Sequence, residues 1–250
     1  MKPFWTALRF LTVFPWPRSL TSTPEEIGRS AALFPLVGFC LGLVLVFFNR
    51  LLESYIPPGI LSVILVALLI LMTRALHLDG LGDTFDGLGA RAGPEEALRI
   101  MRDSHTGIFG LLAVVIAIGL KVRALEFMGL GRDQALLVAP ILGRWAMVLL
   151  AYGSHSAREG LGRFMVDYVR GRHLFFATVI ALALAFVFAG RVGLWIALGV
   201  SIFTLVCRLS FHRRLGGVTG DTFGAVGEMT ETLALVIFAL VEWNQLKFGG

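Results

Sequence analysis

Ala31–Phe48 carries no charged side chain, and runs of this kind constrain the chain more than any other feature of it. A helix that crosses the hydrocarbon core of a bilayer needs about 20 mostly apolar residues, in a range near 17–25. Further runs are Ile60–Leu76, Ile108–Phe127, Ala135–Tyr152, Leu174–Gly190, Val192–Cys207, and Leu233–Trp243 with some residues upstream. Lys121 and Arg123 interrupt the third of the seven and the last is short, so six or seven spans are expected. The fifth and sixth meet at residues 189–193 (AGRVG), which leaves room only for a tight turn. Composition agrees: 56% of the residues are hydrophobic and 16% charged, where a soluble domain has about 45–50% and 25%. The expected fold is all-α, a polytopic transmembrane helical bundle forming a single domain over residues 1–250.

The opening stretch KPFWTALRFLTVFPWP (residues 2–17) is apolar and aromatic but short. It reads as an interfacial or re-entrant segment ended by Pro15 and Pro17, and it lacks the pattern of a removable signal peptide. The net charge of +5 comes from arginine. In a membrane protein that bias sets topology more often than it binds nucleic acid, and no nucleic-acid partner is expected. With seven spans and the N-terminus inside, 15 of the 22 Lys and Arg fall on the inner side and six, Lys121 among them, on the outer, with Arg144 mid-span. Two long polar segments, residues 73–107 and 208–230, are thereby expected to be loops on the cytoplasmic face of the cytoplasmic (inner) membrane. Cys40 and Cys207 sit inside apolar runs, as buried thiols do. A homo-oligomer is compatible with the sequence.

The stretch HLDGLGDTFDG (77–87) places Asp79, Asp83 and Asp86 at i, i+4 and i+7. On a helix they share one face, where like charges repel unless a cation sits among them. Carboxylates with open positions suit Mg²⁺ or Mn²⁺ held together with substrate phosphates; the bland alternative is a solvated loop with helix-end carboxylates. In GPEEALRIMRDSHTGIFG (93–110), Pro94, Glu95 and Glu96 mark a helix start. Asp103 is then either a cap for the next span, a role it shares with Ser104, or a further metal or hydrogen-bonding group, and Arg102 or His105 a phosphate contact. In RLSFHRRLGGVTGDTFGAVGEMTE (208–231), Arg208, Arg213 and Arg214 supply charge. Gly216, Gly217 and Gly220 supply backbone N–H groups, and Asp221 a carboxylate, a set that suits a polyphosphate. The plain readings there are positive-inside anchors and an ordinary turn. Arg144, in PILGRWAMVLL, is a charge in mid-span; it faces a polar cavity or forms an ion pair. Two acidic, glycine-bearing segments with arginines point to metal-assisted phosphoryl transfer at the membrane surface.

FLTVFPWP, HLDGLGDTFDG, MRDSHTGIFG and GGVTGDTFGA together resemble the cobalamin synthase family, the adenosylcobinamide-GDP ribazoletransferases. The resemblance covers about residues 5–240. It implies a polytopic, Mg²⁺-dependent membrane transferase that joins adenosylcobinamide-GDP to α-ribazole, or its 5′-phosphate, and releases GMP. It implies further that the ribazole 3′-hydroxyl attacks the corrinoid-side phosphorus. Asp79, Asp83 and Asp86 fall on the family's aspartate motif, and Asp103 and Asp221 on its two later acidic motifs. Asp83–Arg91 is also similar to the first half of the CDP-alcohol phosphotransferase signature, whose second half is absent. A cation-coupled transporter would carry its acids nearer mid-span.

Overall fold

The computed structural model describes residues 2–14, 22–90 and 93–248. Pro15, Pro17, Arg18 and Arg91 lie outside them. The regular structure is helical: α1 (Lys2–Leu11), α2 (Pro24–Ser30), α3 (Phe34–Leu52), α4 (Pro58–Met72), α5 (Leu76–Gly89), α6 (Pro94–Ile100), α7 (Ile108–Phe127), α8 (Arg132–Ala151), α9 (Leu161–Tyr168), α10 (Gly171–Leu215) and α11 (Gly220–Phe248). Five helices are long and apolar enough to cross a membrane, or six when α4 and α5, bent by 88° at their junction, count as one broken span.

α10 contributes one crossing more than that count. At about 1.5 Å per residue, its 45 residues would reach about 67 Å, more than twice the roughly 30 Å core. Gly190 breaks it with φ 56° and ψ −139°, a conformation only glycine adopts without strain. Beyond the break, Gly193 packs directly on the Ala185 carbonyl. α10 is therefore a hairpin of two arms, turning where the sequence allows only a tight turn.

α8 forms the centre of the bundle: 89% of its apolar window is buried, against 22% for α10. α3 crosses it at Gly38 and Gly42, four residues apart. Close approach of helix backbones through small residues at this spacing is a common device in membranes. Pro140 inside α8 has no N–H to offer the Leu136 carbonyl. Gly42 packs on that carbonyl so closely that a Cβ would lie 2.8 Å from the oxygen.

The polar segments of the sequence meet at one end of the bundle. There Val13 N–H bonds the Met72 carbonyl, Arg158 reaches the Leu98 carbonyl, and Val218 pairs with His155. The opposite end is closed by Asn49 and Arg50 on Asp133 and by Glu242 on the Gly129 and Gly131 N–H groups. Two expectations need correction. Neither residues 73–107 nor residues 208–230 form a loop: α5 and α6 fill most of the first, and in the second α10 runs to Leu215 and α11 starts at Gly220. Lys121 is not an outer-face charge: it is 1% exposed in the interior, because Glu228 and Glu231 of α11 face it at 2.6 and 2.5 Å. Cys40 and Cys207 are half-buried free thiols.

Candidate active site

The junction of α4 and α5 aims the aspartate helix. Arg74 and Ala75 both take φ 55°, a left-handed conformation that costs a residue with a side chain on the order of 1–3 kcal/mol. The Ala75 N–H bonds the Ile70 carbonyl across the break. α5 leaves this turn against α11, and the two backbones touch at Gly80, where a Cβ would stand 2.6 Å from the Asp221 carbonyl oxygen. That contact carries Asp221, in the first turn of α11, to the acidic face of α5.

The three aspartates of α5 do share a face, but they descend into the protein. Asp79 is exposed, Asp83 half-buried and Asp86 buried. Asp86 accepts hydrogen bonds from the N–H groups of Gly107 (2.7 Å) and Gly110 (2.8 Å). It thus supplies the side-chain cap that α7 otherwise lacks, where negative charge is favourable. Gly107 and Gly110 press on its carboxylate with no room for a Cβ. Asp103 does not cap α7. It is exposed, and it accepts from the backbone N–H of His105 (3.0 Å) and pairs with its ring (2.6 Å). Those bonds hold its carboxyl below the usual range, the backbone one first.

Asp83 is where the charges converge. Asp79, Asp221 and Asp86 and the Arg158 guanidinium all act on it electrostatically. Arg158 forms an ion pair with Asp221, and Thr219 Oγ1 donates to the same carboxylate oxygen at 3.2 Å. A cleft of about 850 Å³ opens beside this group, lined by Thr6, Arg9, Thr12 and Ser22 from the N-terminal segment and by Arg74 and Asp79. An inner pocket of about 100 Å³ shares Phe10, Leu76 and Asp79 with it and is lined further by His77, Met147 and Asp221.

The arginines expected to hold phosphate are placed differently. Arg208 donates to the carbonyls of Tyr152 (3.0 Å) and Gly153, closing the C-terminal end of α8. Arg213 and Arg214 are exposed in the last turn of α10, and Arg102 and His105 are exposed beyond α6; none of the four lines the cleft. Gly217 packs on the His155 carbonyl and Gly220 on Gly162, each within 2.6 Å of where a Cβ would be on one partner. Gly217 serves close backbone packing, whereas Gly220 also lines the inner pocket beside Asp221. Arg144 is 1% exposed and pairs with Glu231, the ion-pair reading of a mid-span charge.

A family model described as "Cobalamin-5-phosphate synthase" matches residues 3–239. The chain belongs to the cobalamin-5-phosphate synthase family. Among similar proteins, one from Syntrophobacter fumaroxidans is 43% identical over 93% of this chain and 96% of its own length. Another, from Geotalea daltonii, is 38% identical over 96% of this chain and 98% of its own length. Each is named adenosylcobinamide-GDP ribazoletransferase. No solved structure matches the chain.

In this member of the cobalamin-5-phosphate synthase family, the residues that sequence reasoning did not single out are Arg9, Arg74, Arg158 and His77. Arg74 sits three residues before the motif, so the helix break was its signal. Arg158 had none, because its partner Asp221 lies 63 positions away. Glu228 and Glu231 were visible as acids near the start of an apolar run, and Lys121 as a base inside another.

Proposed function

We propose that this chain joins adenosylcobinamide-GDP to α-ribazole, or its 5′-phosphate, with release of GMP, at the end of the bundle that carries Asp83. The observation that carries the reading is the near full-length match to relatives of that name. The site geometry fits the chemistry. A hydroxyl oxygen of the ribazole forms a new bond to the corrinoid-side phosphorus, the bond from that phosphorus to the bridging oxygen breaks, and GMP leaves with that oxygen. The hydroxyl proton passes to a carboxylate. Asp83 suits this role better than Asp221, because Asp221 is paired with Arg158.

Among the described residues no three acidic, His or Cys side chains come close enough to hold a metal ion by themselves. Mg²⁺ does not need three. It is usually bound through one or two carboxylates together with substrate phosphates and water. Asp79 and Asp83, with Asp221 across the α5–α11 contact, fit that mode, whereas Asp86 is held by α7. When bound, the cation would neutralise phosphate oxygens and stabilise the leaving group. Arg158 pairs with Asp221, Arg9 and Arg74 line the cleft with Asp79, and these guanidinium groups would orient the diphosphate. Positioning of this kind is most of what phosphoryl transfer requires of a protein. The site faces the cytoplasm, because the segments rich in Lys and Arg share its end of the bundle.

The test is direct. Purified protein in detergent is mixed with adenosylcobinamide-GDP, Mg²⁺ and either α-ribazole or its 5′-phosphate, and GMP is measured. GMP release that requires an acceptor supports the proposal; none with either acceptor overturns it.

A further inference from the structure

A buried ion network joins α7, α8 and α11 and ends on a side chain that the reaction above leaves unused. Lys121 pairs with Glu228 and Glu231, Glu231 pairs with Arg144, and Arg144 Nη2 lies 3.4 Å from His77 Nδ1. Two cations face two carboxylates, so the network is neutral without any charge on the imidazole. A guanidinium has only donors, so His77 Nδ1 accepts and the ring proton sits on Nε2. His77 is 2% exposed, and its Nε2 is buried with no partner among the described residues. A buried donor left unbonded costs on the order of 1–3 kcal/mol, and such a group calls for an explanation in strain, catalysis or an absent ligand. His77 lines the inner pocket together with Asp79 and Asp221.

We infer that His77 is a substrate contact, and that its Nε2–H donates a hydrogen bond to an oxygen of the substrate diphosphate in the inner pocket. The inference rests on the phosphoryl-transfer reading and adds a residue to it. The other polar side chains of that pocket are the carboxylates of Asp79 and Asp221, which accept and do not donate when ionised. A substrate hydroxyl would bond them. A phosphate oxygen needs a donor, and a neutral N–H beside carboxylates supplies one without a second charge. Arg144, Glu231 and Lys121 are positioning residues: they fix which nitrogen carries the proton and which way the ring faces.

His77→Gln keeps an amide N–H near the Nε2 position, His77→Leu keeps bulk without a donor, and His77→Asn carries an amide too short to reach it. Each is purified in detergent, checked for wild-type thermal unfolding, and assayed for GMP release and for equilibrium binding of adenosylcobinamide-GDP. A hydrogen bond to a charged group is worth about 1.5–3 kcal/mol, so kcat/KM falls roughly 10- to 150-fold in His77→Leu and His77→Asn. His77→Gln stays within roughly tenfold of wild type. If wild type releases GMP and folded His77→Leu matches it, the role of His77 is refuted and the functional reading stands. The role is equally refuted if folded His77→Gln falls as far as His77→Leu. If His77→Leu does not fold, the comparison of Gln with Asn decides. A wild type that releases no GMP overturns both.

Discussion

Gly80 and Gly82 lie two positions apart on α5, and the structure gives them opposite tolerances. A Cβ on Gly80 would stand 2.6 Å from the Asp221 carbonyl oxygen, where ordinary contact begins at 3.4 Å. Since that atom is backbone, Gly80→Ala must push α5 and α11 apart by about 0.8 Å at the point where Asp83 and Asp221 approach. Displacements of about 1 Å in a site can cost on the order of 10²-fold in rate, so kcat for GMP release should fall roughly 10- to 100-fold. Overpacking costs about 1–3 kcal/mol, and alanine in a helix returns roughly 0.5–1 kcal/mol, so the net loss of stability should be about 2.5 kcal/mol or less. A Cβ on Gly82 meets only Val114 Cγ2, at 3.8 Å. Gly82→Ala should therefore keep wild-type turnover and melt slightly higher. GMP release and thermal unfolding of the two purified variants, side by side, make the test. Wild-type kcat in Gly80→Ala, or equal damage from both, would refute the idea that this backbone contact sets the site.

Three further outcomes follow from other contacts. Lys121→Met leaves Glu228 and Glu231 facing one cation in the interior, a change that should cost about 3–5 kcal/mol in detergent unfolding; an unaltered transition would show that the network does not hold α7 to α11. Asp86→Asn turns one of its two accepting oxygens into a donor facing an N–H, so stability should drop by about 1.5–3 kcal/mol with Mg²⁺ affinity retained; loss of Mg²⁺ affinity at unchanged stability would return Asp86 to the metal site. Gly93, whose Cβ would meet nothing within 4 Å, and Leu130, at 99% exposure on the opposite end, suit single cysteines. An impermeant thiol reagent applied to intact cells should label Leu130→Cys and spare Gly93→Cys, and the reverse pattern would invert the orientation.

The spans were legible because each crossing must satisfy its backbone within an apolar stretch of fixed length. The hairpin at Gly190 was legible for the same reason, since two such stretches meet there with almost no residues between. The helical spacing of Asp79, Asp83 and Asp86 gave their common face, but spacing does not show what stands opposite. Asp86 meets two N–H groups of α7, while Asp83 meets the field of Asp221. Gly217 looked like part of a phosphate cradle because glycine frees a backbone for any close neighbour; here the neighbour is His155, while Gly220, packed on Gly162, also lines the inner pocket. Lys121 read as an outer-face charge because its partners, Glu228 and Glu231, are more than 100 positions away, and only the packing of α7 on α11 brings them together.

The central claim is that carboxylates of α5 and α11 act together on a cation-bound diphosphate. The Mg²⁺ dependence of GMP release, measured in wild type, Asp83→Asn and Asp221→Asn at matched stability, tests it most directly. Both variants should need more Mg²⁺, and turnover at saturating Mg²⁺ should fall by at least about 10²-fold in Asp83→Asn, the scale of losing a major electrostatic stabiliser. Wild-type turnover with an unshifted Mg²⁺ curve in Asp83→Asn would contradict it.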